Sequence, residues 1–101
     1  MPQVVAPYAQ AAAVVKKDGT IERSKGVTDV KRTDKGRYTI TLSEDIDVRM
    51  CVPVATLNRS ADWHGEIYVS VPASADTDHT IQVLTGVNGT ATDEPFHVVV
   101  P

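Results

Sequence analysis

Residues 37–42 read Arg-Tyr-Thr-Ile-Thr-Leu, and in this stretch apolar and polar side chains strictly alternate. Three later stretches repeat the alternation, at residues 66–71, 80–83 and 96–100. Successive side chains of a β-strand point to opposite faces, so a two-residue period places one face on a core and the other in solvent. The sequence therefore predicts antiparallel sheets with one buried face each.

The composition agrees with an all-β fold. The sequence of 101 residues contains 16 valines, 5 isoleucines and 11 threonines, but only 3 leucines. Stiff β-branched side chains lose freedom in a helix and pack well on a pleated sheet. A chain of this length is enough for one domain. We expect a single antiparallel β-sandwich, or a jelly-roll-like barrel, of seven or eight strands over residues 10–101, preceded by an apolar arm at residues 1–9.

Turn signals divide the chain into predicted strands. Asp18-Gly19 predicts a tight hairpin turn, because glycine accepts the positive φ that such a turn requires. Pro53 cannot donate to a hydrogen-bond ladder, so a bulge or an edge position is expected in the long stretch around it. Residues 9–15 fit either a helical turn, because alanine favours helices, or a strand, which the following valines and hairpin favour. The predicted strands lie near residues 11–17, 20–24, 27–33, 36–42, 46–57, 65–71, 79–86 and 95–100.

The sequence carries no motif for catalysis or metal binding. Its histidines, His64, His79 and His97, lack the close spacing with which one rigid element presents two metal ligands. The adjacent Asp93 and Glu94 would point to opposite faces of a strand and so could not act together. A net charge of -3 does not favour nucleic acid, and no stretch approaches the ~20 apolar residues that span a bilayer. We therefore expect no enzymatic activity, cofactor, metal, nucleic acid or membrane insertion.

Cys51 is the single cysteine, so an internal disulfide is excluded. Its neighbours Met50 and Val52 are apolar, which predicts a buried thiol. A reactive thiolate needs a nearby base or an electropositive setting, and the sequence around Cys51 offers neither. We expect an unreactive thiol.

The only tryptophan lies in the predicted loop Asp62-Trp63-His64-Gly65. An exposed tryptophan on a loop can anchor a protein interface or stack on a sugar ring. The alternative is that Trp63 folds back over a core that is poor in aromatic residues. Asp62, Trp63 and His64 are therefore the candidate ligand-binding or partner-binding residues.

The predicted core is modest, because the chain has one Phe, one Trp and three Tyr and valine contributes less burial than an aromatic ring. Small cores of this kind are often supplemented by contacts between subunits. The apolar arm is a candidate for such a contact, and Val4, Val5 and Tyr8 are its predicted contact residues. We expect a homo-oligomer, with a trimer as the favoured state.

Four motifs follow one another along the chain. They are Ala13–Ile21, Gly26-Val27 with the strand 36–42, Cys51 with Val54–Leu57, and Asp93–Val100. With this set, which covers most of the chain, the sequence resembles a small β-sandwich domain of actinobacterial surface proteins and of phage structural proteins. The resemblance implies a terminal or stand-alone β-module on an extracellular or virion structure, without assigned catalytic residues. Members of this group often carry a second cysteine near the C-terminus, where this chain reads Val100-Pro101, so Cys51 is expected to be free.

Two functional hypotheses follow. The first is a non-enzymatic structural or assembly protein, a phage virion component such as a capsid decoration protein or a tail or fibre knob, which binds copies of itself and capsid or tail proteins. The second is a carbohydrate- or cell-wall-binding module of an actinobacterial surface or secreted protein, which uses Trp63 and the acidic loops around Asp62, Asp76 and Asp78. Both place the protein on a virion, outside the cell or at the cell surface.

Overall fold

A computed structural model describes residues 9–72 and 79–101. These residues form two antiparallel sheets that pack face to face, which confirms the predicted β-sandwich. The described residues contain no α-helix, and no helix among them has the length and apolar character needed to cross a membrane. Within residues 9–15, Ala11–Val15 form the favoured strand, and no helical turn is present there.

The first sheet has four strands in the order β2-β1-β9-β5, and these are β1 (Ala11–Val15), β2 (Ile21–Lys25), β5 (Val54–Leu57) and β9 (Phe96–Val100). The second sheet has the order β3-β4-β7-β6, with β8 paired to β7. Its strands are β3 (Val27–Asp34), β4 (Arg37–Leu42), β6 (Gly65–Ser70), β7 (Thr80–Val87) and β8 (Thr90–Ala91).

The core lies between the alternating inward faces of the two sheets. On β4 the buried residues are Tyr38, Ile40 and Leu42, as the alternation predicts. The Tyr38 ring meets the Phe96 ring of the other sheet edge-to-face, with ring centroids 5.0 Å apart. Such a pair adds roughly 1 kcal/mol to the free energy of unfolding beyond the burial of its area. The two rings therefore join the sheets at the centre of the sandwich.

Gly26 lies where the chain leaves β2 in the first sheet and enters β3 in the second. Its φ of +68° is in the left-handed region, and a Cβ on this residue would lie 2.5 Å from the Gln10 carbonyl oxygen and 3.2 Å from the Ala11 Cβ. Strands that change sheets turn the corner through such bends. Residues 21–34 consequently run as one bent ribbon along the same side of both sheets.

The predicted strand over 46–57 is wrong over most of its length. A short 3₁₀ helix occupies Val48–Met50, and β5 begins only at Val54, directly after Pro53. Proline has no N–H for the ladder, so the strand forms only where donors are present. β5 does lie at an edge of its sheet, as expected for a strand next to a proline. The two-residue strand β8 was not predicted, because residues 90–91 carry no alternation of their own.

Gly26→Ala should destabilise the fold by about 2 kcal/mol or more, because the left-handed conformation costs a non-glycine residue roughly 1–2 kcal/mol and the new Cβ would crowd the Gln10 carbonyl. Gly89→Ala is the matched control, since Gly89 also has a positive φ of +80° but nothing within 4 Å of the added Cβ. Urea unfolding of both variants measures the difference. Equal losses would show that the corner does not require a close backbone approach.

Candidate functional site

Loops from both sheets meet at one end of the sandwich. The β1–β2 turn at residues 16–19, the β5–β6 connection at 58–64 and the segment 92–95 before β9 surround a groove of about 560 Å³. Charged and polar side chains of Lys16, Lys17, Asp18 and Glu22 line its β1–β2 wall. Loops carried on a rigid sandwich are a common location for binding residues. This loop end is the first candidate site.

Asp93 ties the loop end to the second sheet. Its Oδ1 accepts a hydrogen bond from the Gly36 N–H at 2.7 Å, and its Oδ2 accepts one from Arg32 Nε, also at 2.7 Å. The Arg32–Asp93 pair is partly exposed, so it contributes little through charge alone. Both carboxylate oxygens of Asp93 are therefore engaged in holding the loop.

Glu94 bonds to a different part of the fold from Asp93, although neither residue lies in a strand. Its side chain is buried, and its Oε2 accepts a hydrogen bond from the Asp62 backbone N–H at 3.1 Å. Burial and the hydrogen-bonded, negatively charged Asp62 raise the pKa of the Glu94 carboxyl above its ordinary value. Glu94 thus connects the segment before β9 to the loop that carries Trp63.

Asn58 begins that loop and orders its first turn. The Asn58 Oδ1 accepts hydrogen bonds from the Ser60 N–H at 3.0 Å and the Ser60 hydroxyl at 3.1 Å, while Nδ2 lies 3.0 Å from His97 Nε2. Side chains of this type stabilise turns by bonding to the backbone two residues on. The β5–β6 connection is consequently built into the fold at both Asn58 and Asp62.

Trp63 projects from this loop and is 100% exposed, so it does not fold back over the core. It borders a second, smaller groove of about 380 Å³ that Arg59 and Asp62 also line. Asp62 and His64 are exposed beside it, and the His64 carbonyl accepts a hydrogen bond from the Asn88 N–H at 3.4 Å. The structure therefore brings the three predicted loop residues together on the surface.

The second candidate site is the part of the sandwich around the edge strands β5 and β6, including the adjoining outer faces of both sheets. All seven exposed large hydrophobic residues of the described chain belong to β5, β6, the segments next to them or the strands paired with them. We call this surface the apolar side. Its members are Met50 (77% exposed), Val52 (76%), Val54, Trp63, Tyr68, Leu84 and Val99.

Strand register explains why these residues gather. Val54 on β5 lies opposite Val99 on β9, and Tyr68 on β6 lies opposite Leu84 on β7. Each pair is on the outer face of its sheet, where alternation normally places polar residues. No local sequence signal marks this surface, because its members come from four strands, a loop, the 3₁₀ helix and the segment that follows this helix.

The opposite lateral side has a different chemistry. We call the ribbon of residues 21–34 the charged side, because β2 and β3 carry seven charged residues between them. They are Glu22, Arg23, Lys25, Asp29, Lys31, Arg32 and Asp34. Charged edges discourage unwanted strand pairing. The two sides of the sandwich therefore differ sharply in their suitability for association.

Five of the residues singled out in the sequence fall outside the part of the chain that the structure describes. The arm contact residues Val4, Val5 and Tyr8, and the loop residues Asp76 and Asp78, are outside the described residues. Within residues 9–72 and 79–101 there is no group of three or more His, Cys, Asp or Glu that could hold a metal ion.

Cys51 is partly buried, where the sequence predicts a buried thiol. Its Sγ donates a hydrogen bond to the Val48 carbonyl at 3.0 Å. Burial raises the pKa of the thiol above its ordinary value, which keeps it protonated at neutral pH. This environment is typical of an unreactive cysteine.

Comparison with known protein families, with curated proteins and with solved structures finds no match to this chain. The described residues form an antiparallel β-sandwich with an apolar side and a charged side.

Glu94→Gln should be more stable than the parent protein at pH 7. Because the pKa of Glu94 is raised on folding, the parent gains stability as the pH falls through that pKa and loses it as the pH rises. The glutamine is neutral throughout and keeps an acceptor oxygen for the Asp62 N–H. Thermal unfolding between pH 4 and pH 8 tests this, and the advantage of the variant should vanish toward pH 4. Glu44→Gln alters an exposed carboxylate and is the control; a constant difference between Glu94→Gln and the parent across this range would contradict the prediction.

Proposed function

We propose that this protein is a non-enzymatic structural protein that assembles with copies of itself. The observation that carries the proposal is that all seven exposed large hydrophobic residues of the described chain lie on β5 or β6, beside them or on the strands paired with them. Exposed apolar patches mark interaction sites, and here the outer face of each sheet carries one apolar pair, Val54 with Val99 and Tyr68 with Leu84. An assembly that covered these residues would remove more apolar surface from water than the small valine-rich core removes by itself.

The ionisable groups at the loop end support a structural role. Asp93 holds Gly36 and Arg32, and Glu94 holds the Asp62 backbone. The Tyr38 hydroxyl donates a hydrogen bond to the Lys17 carbonyl, and burial together with the negative charge of Asp93 raises the pKa of Tyr38 to about 12. These groups bind other parts of the fold and are not arranged as an acid and base around a substrate.

The setting that we propose is a phage virion, as a capsid decoration protein or a tail or fibre knob, or else a bacterial cell surface. The sequence resemblance described above supports this setting, and capsid or tail proteins would be the further partners. The sequence favours a homotrimer. Contacts between copies would then use the apolar side and the apolar arm.

Light scattering coupled to size exclusion tests self-association at micromolar concentration. The full-length protein should have the mass of an oligomer, and Val54→Lys/Tyr68→Lys should reduce it to one chain because both outer faces of the apolar side would acquire charge. Thr28→Lys/Thr33→Lys adds the same charges to exposed positions on the charged side and should leave the mass unchanged. A parent protein that is monomeric throughout would refute the proposal.

A second candidate function is binding of a carbohydrate or cell wall by the loop end. The observation that favours it is the full exposure of Trp63 beside a groove that Arg59 and Asp62 line. The apolar face of a sugar ring stacks on indole, while its hydroxyls accept and donate hydrogen bonds to charged side chains.

Trp63→Ala should abolish binding to a glycan array or to isolated cell walls and leave thermal unfolding unchanged, because the side chain makes no buried contact. Tyr68→Ala, which removes another exposed aromatic ring from the outer face of β6, is the matched control and should bind like the parent. Absence of parent binding across a broad array, or equal binding by Trp63→Ala, would exclude this function.

A further inference from the structure

We propose that the contact between copies is made by β5, which pairs antiparallel with β5 of a second copy around a two-fold axis. The two four-stranded sheets would then join into one continuous sheet of eight strands. This inference rests on the proposed self-association and adds the surface, the strand register and the symmetry of the contact.

Within residues 9–72 and 79–101, no backbone hydrogen bond partner is found for the outer edge of β5. β5 pairs with β9 and with no other strand among the described residues. The Asn58 N–H donates a hydrogen bond to the Pro95 carbonyl at 3.0 Å. Continuing this register along the ladder makes Thr56 opposite His97 the next hydrogen-bonded pair. Val54 opposite Val99 is the one after that. Hydrogen-bonded and non-hydrogen-bonded positions alternate along an antiparallel ladder. The N–H and C=O groups of Ala55 and Leu57 therefore point away from β9, toward the open edge.

These groups select one register for a second copy. In an antiparallel ladder, residues that lie opposite each other either exchange two hydrogen bonds or none. If Ala55 lies opposite Leu57 of the second copy, both N–H groups and both carbonyls of each pair are satisfied. A register centred on Ala55 would instead place Leu57 opposite Pro53, which lacks an N–H, and leave a carbonyl unpaired. The first register satisfies every outward group of the strand.

The distribution of charged residues also favours the β5 edge and a two-fold contact. A two-fold contact sets a surface against itself, so a charge at the centre of the contact would face the same charge of the second copy. β5 contains no charged residue, whereas β6 contains Glu66 and the charged side carries seven. A head-to-tail contact between β5 and the charged side would remove water from those charges and cover them with a strand that has no charged residue. If the second copy makes the contact with its own β5, no strand residue sets like charges against each other, and no charged strand residue is covered.

Side chains on the outer face fit this arrangement. Thr56 would lie opposite Thr56 of the second copy at a non-hydrogen-bonded position, where cross-strand threonine pairs are favourable. Val54 and its neighbour Val99 flank this pair, so the outer apolar surfaces of the two copies would become one strip. Assembly in even numbers follows, with a dimer as the smallest unit in place of the trimer that the sequence favours.

Disulfide trapping tests the contact directly. Residues at a non-hydrogen-bonded antiparallel pair have Cα atoms about 4.5 Å apart, within the range that a disulfide spans. In the full chain carrying Cys51→Ser, Thr56→Cys should therefore form a covalent dimer under mild oxidation. Thr33→Cys in the same background places a cysteine at an exposed threonine of β3 and should form none.

Ala55→Pro provides the second arm. It removes an N–H that points to the open edge and spares the bonds to β9, so the fold should persist while the dimer and the Thr56→Cys crosslink are lost. Circular dichroism checks the fold; if Ala55→Pro does not fold, the crosslinking pair alone decides.

The outcomes separate the two proposals. An oligomeric parent that shows no Thr56→Cys crosslink, that keeps its mass in a folded Ala55→Pro variant, or that contains an odd number of chains would overturn the β5 contact and leave self-association standing. A monomeric parent would overturn both. Selective crosslinking at Thr56, lost with Ala55→Pro, would support the β5 contact.

Discussion

The contact between Tyr38 and Phe96 is the interaction on which both the fold and its loop end depend. One ring comes from each sheet, and they are the only aromatic residues in the described core, since Trp63 and Tyr68 are exposed. The Tyr38 hydroxyl reaches the β1–β2 turn at Lys17, while Phe96 follows directly on the loop that contains Glu94. Core packing and loop placement are therefore fixed by the same two side chains.

The two lateral sides of the sandwich differ in their surface chemistry. The bent ribbon that passes through Gly26 borders both sheets and presents charge, which keeps that edge in water. β5 and β6 together contain one charged residue, and all seven exposed large hydrophobic residues of the described chain lie on these strands, beside them or on the strands paired with them. In the proposed assembly, association through β5 alone would limit growth, because a two-fold contact closes on itself and cannot propagate into a fibre.

Strand positions were predictable wherever alternation was strict, as in residues 37–42, because the period of two is a property of the backbone. The stretch 46–57 was misassigned because its apolar residues serve a 3₁₀ turn and a crossing between sheets, which leave no period. The loop of Trp63 was recognisable from composition, but its exposure was not. The anchoring roles of Asp93 and Glu94 depend on Gly36 and Asp62, which are distant in sequence, so no local pattern could reveal them.

The position of β9 between β1 and β5 has a consequence for how the chain reaches its native state. The two central strands of the first sheet, β1 and β9, pair through residues 11–15 and 96–100. The paired residues are separated by more than eighty positions in the sequence. Closing so long a loop before any contact rewards it slows folding relative to proteins rich in local contacts. During synthesis, β1 and β2 can form their hairpin early. The first sheet acquires β9, which lies between β1 and β5, only when residue 100 has left the ribosome.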